Sequence, residues 1–579
     1  MRRISILLLA ILIGGCLPPS TLQPAPAVRA SSPLGRAADS LLTRYAMYGM
    51  SGAVLLEENG ITVLEQGYGL ANRERGVTAT PATRYDIGSI VKTFTAAAIL
   101  ELVERGDLRL SDSLGALFPG VPADKSGITL HRLLTHTSGF PLDPANAGIA
   151  ATDTREAYVE KAMRHPIPAS RIGPYSYSNL GYGLLAIIVE NRSGEPFREF
   201  VDRNFIAPLG LERTAWWQDS VALATPGTAT GYVLSDRENT LIPEPPFGRG
   251  GPTSPMWSKW PLGAGGMVST VGDLRVWWNA IRSGRVLRQS LADTMVSRRD
   301  TAGYQGYGWT VAPVPQLGLR IYRGGSRTGF NSLVASYPER KALVVFALNQ
   351  SVESQWHALV WRSLERLLRG ERDSLPPPTV ALPVEQMRQL DGVYRLPSGG
   401  EIRVIAEDGA LLVGAENQGG VDALLGAPTP QADRYGDWSE RALRAALDGA
   451  SPSPAPVTAE QLKELQGWLA SRVREGAGAR FHVLGSTPHP SARERAQTFV
   501  RVGGDSGVVV RLIWEPERLL AWADGVRFPG FRRFHPTSPT TAGSFSPREP
   551  GWATMELTQR GLVVESPAGE RSALAVKVP

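Results

Sequence analysis

A single cysteine in 579 residues, Cys16, excludes any disulfide within the chain and any zinc site built on thiolates. The seven histidines are scattered and include no His-Glu-x-x-His pair, so no metal site is expected and no cofactor is called for. Charge of one sign is missing too. The 61 basic and 55 acidic residues leave +6, spread along the chain, which argues against a nucleic-acid partner. The short basic cluster from Arg527 to Arg533 reads as a solvated strand edge. Long apolar runs are absent beyond Ile4 to Ile13, ten residues, too few to span a bilayer as a mature helix. What remains, 42% hydrophobic and 20% charged, is a globular chain of two or three domains held by buried core.

Lysine is scarce, 7 of the 61 basic residues, and Lys92 completes the chain's only Ser-x-x-Lys pair, in Tyr85-Asp-Ile-Gly-Ser-Ile-Val-Lys92. The pair stands at the start of an expected amphipathic helix that runs to about Glu104 and is capped by Gly106. Residues three apart on a helix share a face, which puts the Lys92 amine beside the Ser89 hydroxyl. Ser89 also faces the positive helix end, where unpaired N–H groups favour developing negative charge. A buried amine near other cations loses its proton readily, whereas a guanidinium does not. For an isolated pair the plainer reading is a helix-capping serine followed by a solvated lysine. Two further segments shift the balance. Tyr177-Ser-Asn179, the only Tyr-x-Asn, lies in a Gly-, Ser- and Pro-rich stretch that reads as a loop feeding a helix. Arg323-Gly-Gly-Ser326 ends a strand candidate from Gly318 to Tyr322, and paired glycines there suggest close backbone approach to a ligand.

In that order, Ser89-x-x-Lys92, Tyr177-x-Asn179 and Arg323-Gly-Gly325 resemble the serine β-lactamase and penicillin-binding-protein superfamily, above all its class C β-lactamase-related branch of esterases and D-amino-acid peptidases. Ile128 to Phe140, Phe205 to Leu211, Gly265 to Asp273 and Asn331 to Asn349 match further segments of that branch, over roughly residues 35 to 370. The resemblance implies an α/β (α+β) fold of the β-lactamase/transpeptidase type, with an antiparallel sheet flanked by helices and a helical lobe. It implies that Ser89 attacks an acyl carbonyl and that Tyr177, as phenolate or through Lys92, takes and returns the proton. Asn179 would bond Lys92 or the substrate amide. The backbone N–H groups of Ser89 and Ser326 would form an oxyanion hole, each donor worth about 3 kcal/mol on the transition state. The family usually has Lys or His where this chain has Arg323. An arginine does not relay protons, so Arg323 is expected to supply, with Lys92, the positive charge that a Tyr177 phenolate needs. Its fork suits a substrate carboxylate, so Arg323, Gly325 and Ser326 are also expected to bind substrate.

The start of the chain, Met1-Arg-Arg3, then Ile4 to Ile13, then Gly14-Gly-Cys16, resembles a bacterial lipoprotein signal in which Cys16 is lipidated. An ordinary secretory signal with an incidental cysteine is the other reading, and both predict export to the cell envelope. The expected organisation is a signal peptide over 1–15, a Pro- and Ala-rich tether over 16–33, a hydrolase domain over 34–372, a linker over 373–389 and a β-rich domain over 390–579. Asn59-Gly60 predicts a hairpin. Thr270 and Asp273 predict a capping box, and a closing helix is expected from Glu353 to Leu368. Leu390-Asp-Gly-Val-Tyr394 resembles the opening of a lipocalin-like barrel. Gly504-Asp-Ser-Gly507 reads as a turn rather than a protease nucleophile, and His136 as a residue bonding backbone. The function expected is an exported, lipid-anchored serine hydrolase acting through an acyl-serine on an ester, a D-amino-acid amide or a β-lactam. The alternative is a catalytically idle binding or sensor protein of the envelope. Partners are the small-molecule or peptide acyl substrate and the membrane; the oligomeric state is open.

Overall fold

The computed structural model describes residues 30–578, apart from 151–152, 218–226, 235–240, 245–262, 301–302, 352–354, 373–374, 408, 426–431, 449–456, 471–480, 490–491, 503–507, 516–518, 527–531, 546–551, 559–560 and 566–574. Cys16, most of the tether and the Gly504 to Gly507 turn lie outside the described residues. Helix α1 (Pro33–Met47) opens with Ser32, whose hydroxyl accepts the Gly35 N–H. Strands β1 (Gly52–Glu58) and β2 (Ile61–Tyr68) follow, joined as expected at Asn59-Gly60, both with positive φ. Helix α2 (Val91–Arg105) grows out of a 3-10 turn over Gly88–Ile90 and stops at the left-handed Gly106. The lobe that follows is built around helix α3 (Asn179–Ser193), capped by the Ser178 hydroxyl. Helix α4 (Val271–Arg282) begins at Thr270, whose side chain accepts the Asp273 N–H. The expected capping box is only half made, because the Asp273 carboxylate accepts from Arg213 N and Thr214 Oγ1 instead.

Strands β3 (Thr310–Val314), β4 (Gly318–Arg327), β5 (Phe330–Tyr337) and β6 (Ala342–Leu348) complete a six-stranded antiparallel sheet in the order β3-β4-β5-β6-β1-β2. Every residue of β5 and β6 is buried, since both faces of the sheet are covered. One face packs on α2 and the lobe. The other packs on α1 and on helix α5 (Trp356–Leu368), through Leu41, Leu42, Val54, Phe346, Val360 and Leu364. The expected amphipathic stripe of α2 is absent. All residues from Val91 to Leu100 are buried, because the helix runs between sheet and lobe and meets apolar neighbours on both flanks. Helix α5 starts three residues later than the sequence suggested.

Beyond α5 the linker lies against both neighbours: Tyr48 Oη donates to Pro377 O at 3.1 Å, and Val380 N to Pro536 O at 2.7 Å. Strands β7 (Gly392–Arg395), β8 (Glu401–Glu407) and β9 (Ala410–Ala415) then open a barrel. An insertion follows, made of helices α6 (Gln418–Leu425), α7 (Ala432–Asp448) and α8 (Ala459–Ala470) and the antiparallel strands β10 (Phe481–His489), β11 (Ala492–Val502), β12 (Val508–Trp514) and β13 (Leu519–Val526). Strands β14 (Arg532–Ser538), β15 (Thr541–Phe545), β16 (Trp552–Thr558), β17 (Gly561–Glu565) and β18 (Ala575–Lys577) close the barrel. Tyr394, Ile402, Leu411, Phe534, Met555 and Leu562 are among the buried side chains of its core. The buried Glu416 carboxylate joins barrel to insertion, pairing with Arg403 of β8 at 2.5 Å and Arg501 of β11 at 2.7 Å.

Candidate active site

Two glycines let a strand edge press against the turn that carries Ser89. A Cβ on Gly325 would stand 1.9 Å from Ile87 O and 3.1 Å from Ser89 N, so a side chain there would drive the two backbones apart. On the other side Gly88 takes φ 47°, and its Cβ would meet Ser326 N at 2.8 Å. The main chains at Ser89 and Ser326 are therefore neighbours, as two converging N–H donors require. Asp86 fixes the turn from below. Its buried carboxylate accepts Gly88 N–H at 2.6 Å and pairs with Arg327 at 3.1 Å.

Ser89 Oγ accepts from Lys92 Nζ at 3.1 Å and from Tyr177 Oη at 2.7 Å. Hydroxyl, amine and phenol, 88 residues apart at the extremes, thus meet directly. Lys92 is fully buried, and its other protons go to Asn179 Oδ1 at 2.7 Å and Ala264 O at 2.8 Å, using all three donors. The far side of Asn179 is fixed in turn, its Nδ2 donating to Asp143 Oδ1 at 2.8 Å. Of the two roles expected for Asn179, the structure shows the contact with Lys92.

Arg323 supplies charge to the phenol, as the sequence suggested. It is 5% exposed, with Nε on Ser89 O at 3.1 Å and Nη2 on Tyr177 Oη at 2.7 Å. These contacts set its charge beside the phenol and tie it to the turn that carries Ser89.

Burial lowers the Lys92 pKa to about 8, helped by Arg323 and opposed by Tyr177. Burial pushes the Tyr177 phenol up, but Arg323 and Lys92 outweigh it and bring its pKa down to about 8. Groups this close titrate as a pair. The proton-accepting form is the deprotonated one, so kcat/KM should fall as pH drops through about 8. Arg323 holds both groups down. Arg323→Gln should therefore move that inflection upward in a pH–rate profile, and an unmoved inflection would remove Arg323 from this role.

His136 behaves as the sequence suggested. Its ring, 1% exposed, accepts Ser178 N–H on Nδ1 at 3.1 Å and packs 4.4 Å from the Tyr177 ring, while its carbonyl accepts Ser176 N–H at 2.7 Å. Burial, Arg323 and Lys92 hold its pKa well below the usual value, so it is a neutral clamp on the tyrosine loop. Ser89, Lys92, Tyr177, Asn179, Arg323, Gly325 and Ser326 thus gather in one place, most of them lining a cleft of about 480 Å³. Asp86, Asp143 and Ala264 O were missed from sequence. Only Asp86, beside the Ser-x-x-Lys segment, carried a local signal, as a carboxylate two residues before a turn glycine. Among the described residues no group of His, Cys, Asp and Glu is arranged to hold a metal.

The family model described as Beta-lactamase matches residues 35–366. PbpX of Bacillus subtilis (strain 168), described as a penicillin-binding protein, is 28% identical over 303 residues, 52% of this chain and 71% of that protein. The crystal structure of FmtA from Staphylococcus aureus superposes with a TM-score of 0.50 at 19% identity, covering 61% of this chain and 94% of FmtA. An octameric penicillin-binding protein homologue from Pyrococcus abyssi gives 0.50 at 19% identity over 89% of this chain and 98% of its own. At these identities the two structures speak to fold alone.

Proposed function

The chain belongs to the Beta-lactamase family, and from that premise we propose that it is a serine hydrolase working through an acyl-serine intermediate. The observation that carries this reading is the meeting of Ser89 Oγ with Lys92 Nζ and Tyr177 Oη. Tyr177, held toward its phenolate by Lys92 and Arg323, takes the Ser89 proton as Oγ attacks the acyl carbonyl. The developing oxyanion is received by the N–H groups of Ser89 and Ser326. The proton returns to the leaving group through Tyr177, and water then repeats the sequence on the acyl-serine. An ester, a D-amino-acid amide and a β-lactam all present the carbonyl this requires. The test is a panel of all three on the purified full chain. Turnover of at least one substrate, abolished in Ser89→Ala, is expected; turnover that survives Ser89→Ala would overturn the reading.

We also propose export and lipid anchoring through Cys16, on the strength of the leader sequence. Among the described residues no helix is long and apolar enough to cross a membrane. Cys16→Ala should abolish labelling by a radioactive fatty acid in bacterial cells, and labelling that persists would count against the anchor.

A further inference from the structure

The cleft continues past the nucleophile. Pairing of β3 with β4 ends at Thr310 opposite Tyr322, and among the described residues no strand continues it along β4 from Arg323 onward. Alternation along β4 sends Arg323 and Gly325 toward Ser89, and Tyr322 and Gly324 to the opposite face. The same cleft reaches that rear face, where it is lined by Tyr322, Gly324, Leu333, Phe346, His357 and Trp361. Register explains the floor: Gly324 lies beside Leu333, and Leu333 beside Phe346, both part of the core under α1 and α5. His357 and Trp361, four apart on α5, share the face that forms the wall.

This wall is built rather than incidental. Trp361 Nε1 donates to Tyr337 Oη at 3.0 Å, and that hydroxyl donates to Glu365 at 2.7 Å. Arg320, paired with Glu365 at 2.7 Å, stacks its guanidinium 4.4 Å from the Trp361 ring, with the Tyr322 ring 5.1 Å away. An indole fixed on this many sides loses little freedom when a ligand packs on it. Gly324 borders the entrance. It is exposed, and among the described residues a Cβ there would find only Ser332 O, at 3.8 Å.

We propose that this rear pocket receives an apolar group of the substrate, aromatic or branched aliphatic, carried over the β4 edge while the acyl carbonyl sits at Ser89. The inference rests on Ser89 being the nucleophile. It makes Gly324 and Trp361 determinants of specificity: the enzyme selects bulky apolar acyl donors over small ones.

Two ester pairs with similar leaving groups test it on the full chain: ethyl acetate against ethyl hydrocinnamate for a group on the acyl side, and ethyl acetate against phenethyl acetate for one on the alcohol side. The wild type should favour the bulky member of one pair by about tenfold or more in kcat/KM. Gly324→Leu, which fills the pocket, and Trp361→Ala, which removes its wall, should each bring that ratio toward unity; a result from either folded variant suffices. No preference in the wild type, or a preference unchanged by both variants, overturns the pocket. Fluorophosphonate labelling of Ser89 runs alongside. Labelling without preference, or without turnover of any of the three esters, overturns the pocket alone, whereas no labelling overturns the hydrolase reading and the pocket with it.

Discussion

Lys92→Ala and Tyr177→Phe should each lower kcat/KM by about a thousandfold or more, and the double variant should lose little beyond the worse single one. Both groups touch one oxygen, at 3.1 and 2.7 Å, and each sets the other's ionisation. Removing either therefore disables the same proton transfer, and removing both cannot disable it twice. Lys92→Ala also leaves Asn179 Oδ1 and Ala264 O without their buried donor, which costs roughly 1–3 kcal/mol for each group. Thermal melts separate that loss of stability from the loss of rate, and Tyr177→Phe, which keeps the ring against His136, avoids most of it. Losses that multiply in the double variant would mean that the amine and phenol act independently.

Gly325→Ala carries the second large effect. Its Cβ would lie 1.9 Å from Ile87 O, and backbone cannot yield as a side-chain tip can. The strand edge and the Ser89 turn must separate, and with them the two N–H donors expected to hold the oxyanion. A loss of about a hundredfold to a thousandfold in kcat is expected, in a protein that still folds. Steady-state kinetics with a circular-dichroism melt checks both halves. A folded Gly325→Ala protein within a fewfold of wild type would show that the backbone contact does not serve catalysis.

The parts legible in the sequence are those whose chemistry is local. Ser89 and Lys92 are three residues apart, Tyr177 and Asn179 two, and a helix turn or a loop places each pair without reference to the rest of the chain. Positioning groups were hidden because their partners are distant: Asp143 lies 36 residues before Asn179, and Ala264 serves Lys92 through a carbonyl that every residue has. Arg323 was legible as a cation for the phenol, but its second contact, with Ser89 O, was not, since that acceptor is a carbonyl that every residue has. The same limit governs the fold. The Asn59-Gly60 hairpin announces itself, whereas the pairing of β1 with β6 joins Gly52 to Leu348, which no local pattern records. Helix α2 defeated the periodicity argument because burial on both flanks erases the polar stripe that the argument reads. In the C-terminal region, β9 pairs with β14 across the whole insertion, Leu411 opposite Phe534, so alternation revealed strands but not their order.

The C-terminal barrel adjoins the hydrolase fold through the linker and Tyr48. Its core is packed with Tyr394, Leu411, Phe534 and Met555, and it meets the hydrolase fold at Tyr48, whose ring stands 5.3 Å from that of His535. These contacts join the barrel to the hydrolase fold.

Central to the account is a nucleophilic Ser89, and the position of a covalent adduct tests it most directly. The full chain treated with a fluorophosphonate or a fluorescent penicillin, then digested and mapped by mass spectrometry, should carry the adduct on the peptide containing Ser89, and Ser89→Ala should carry none. An adduct on another residue, or equal labelling of Ser89→Ala, would contradict it.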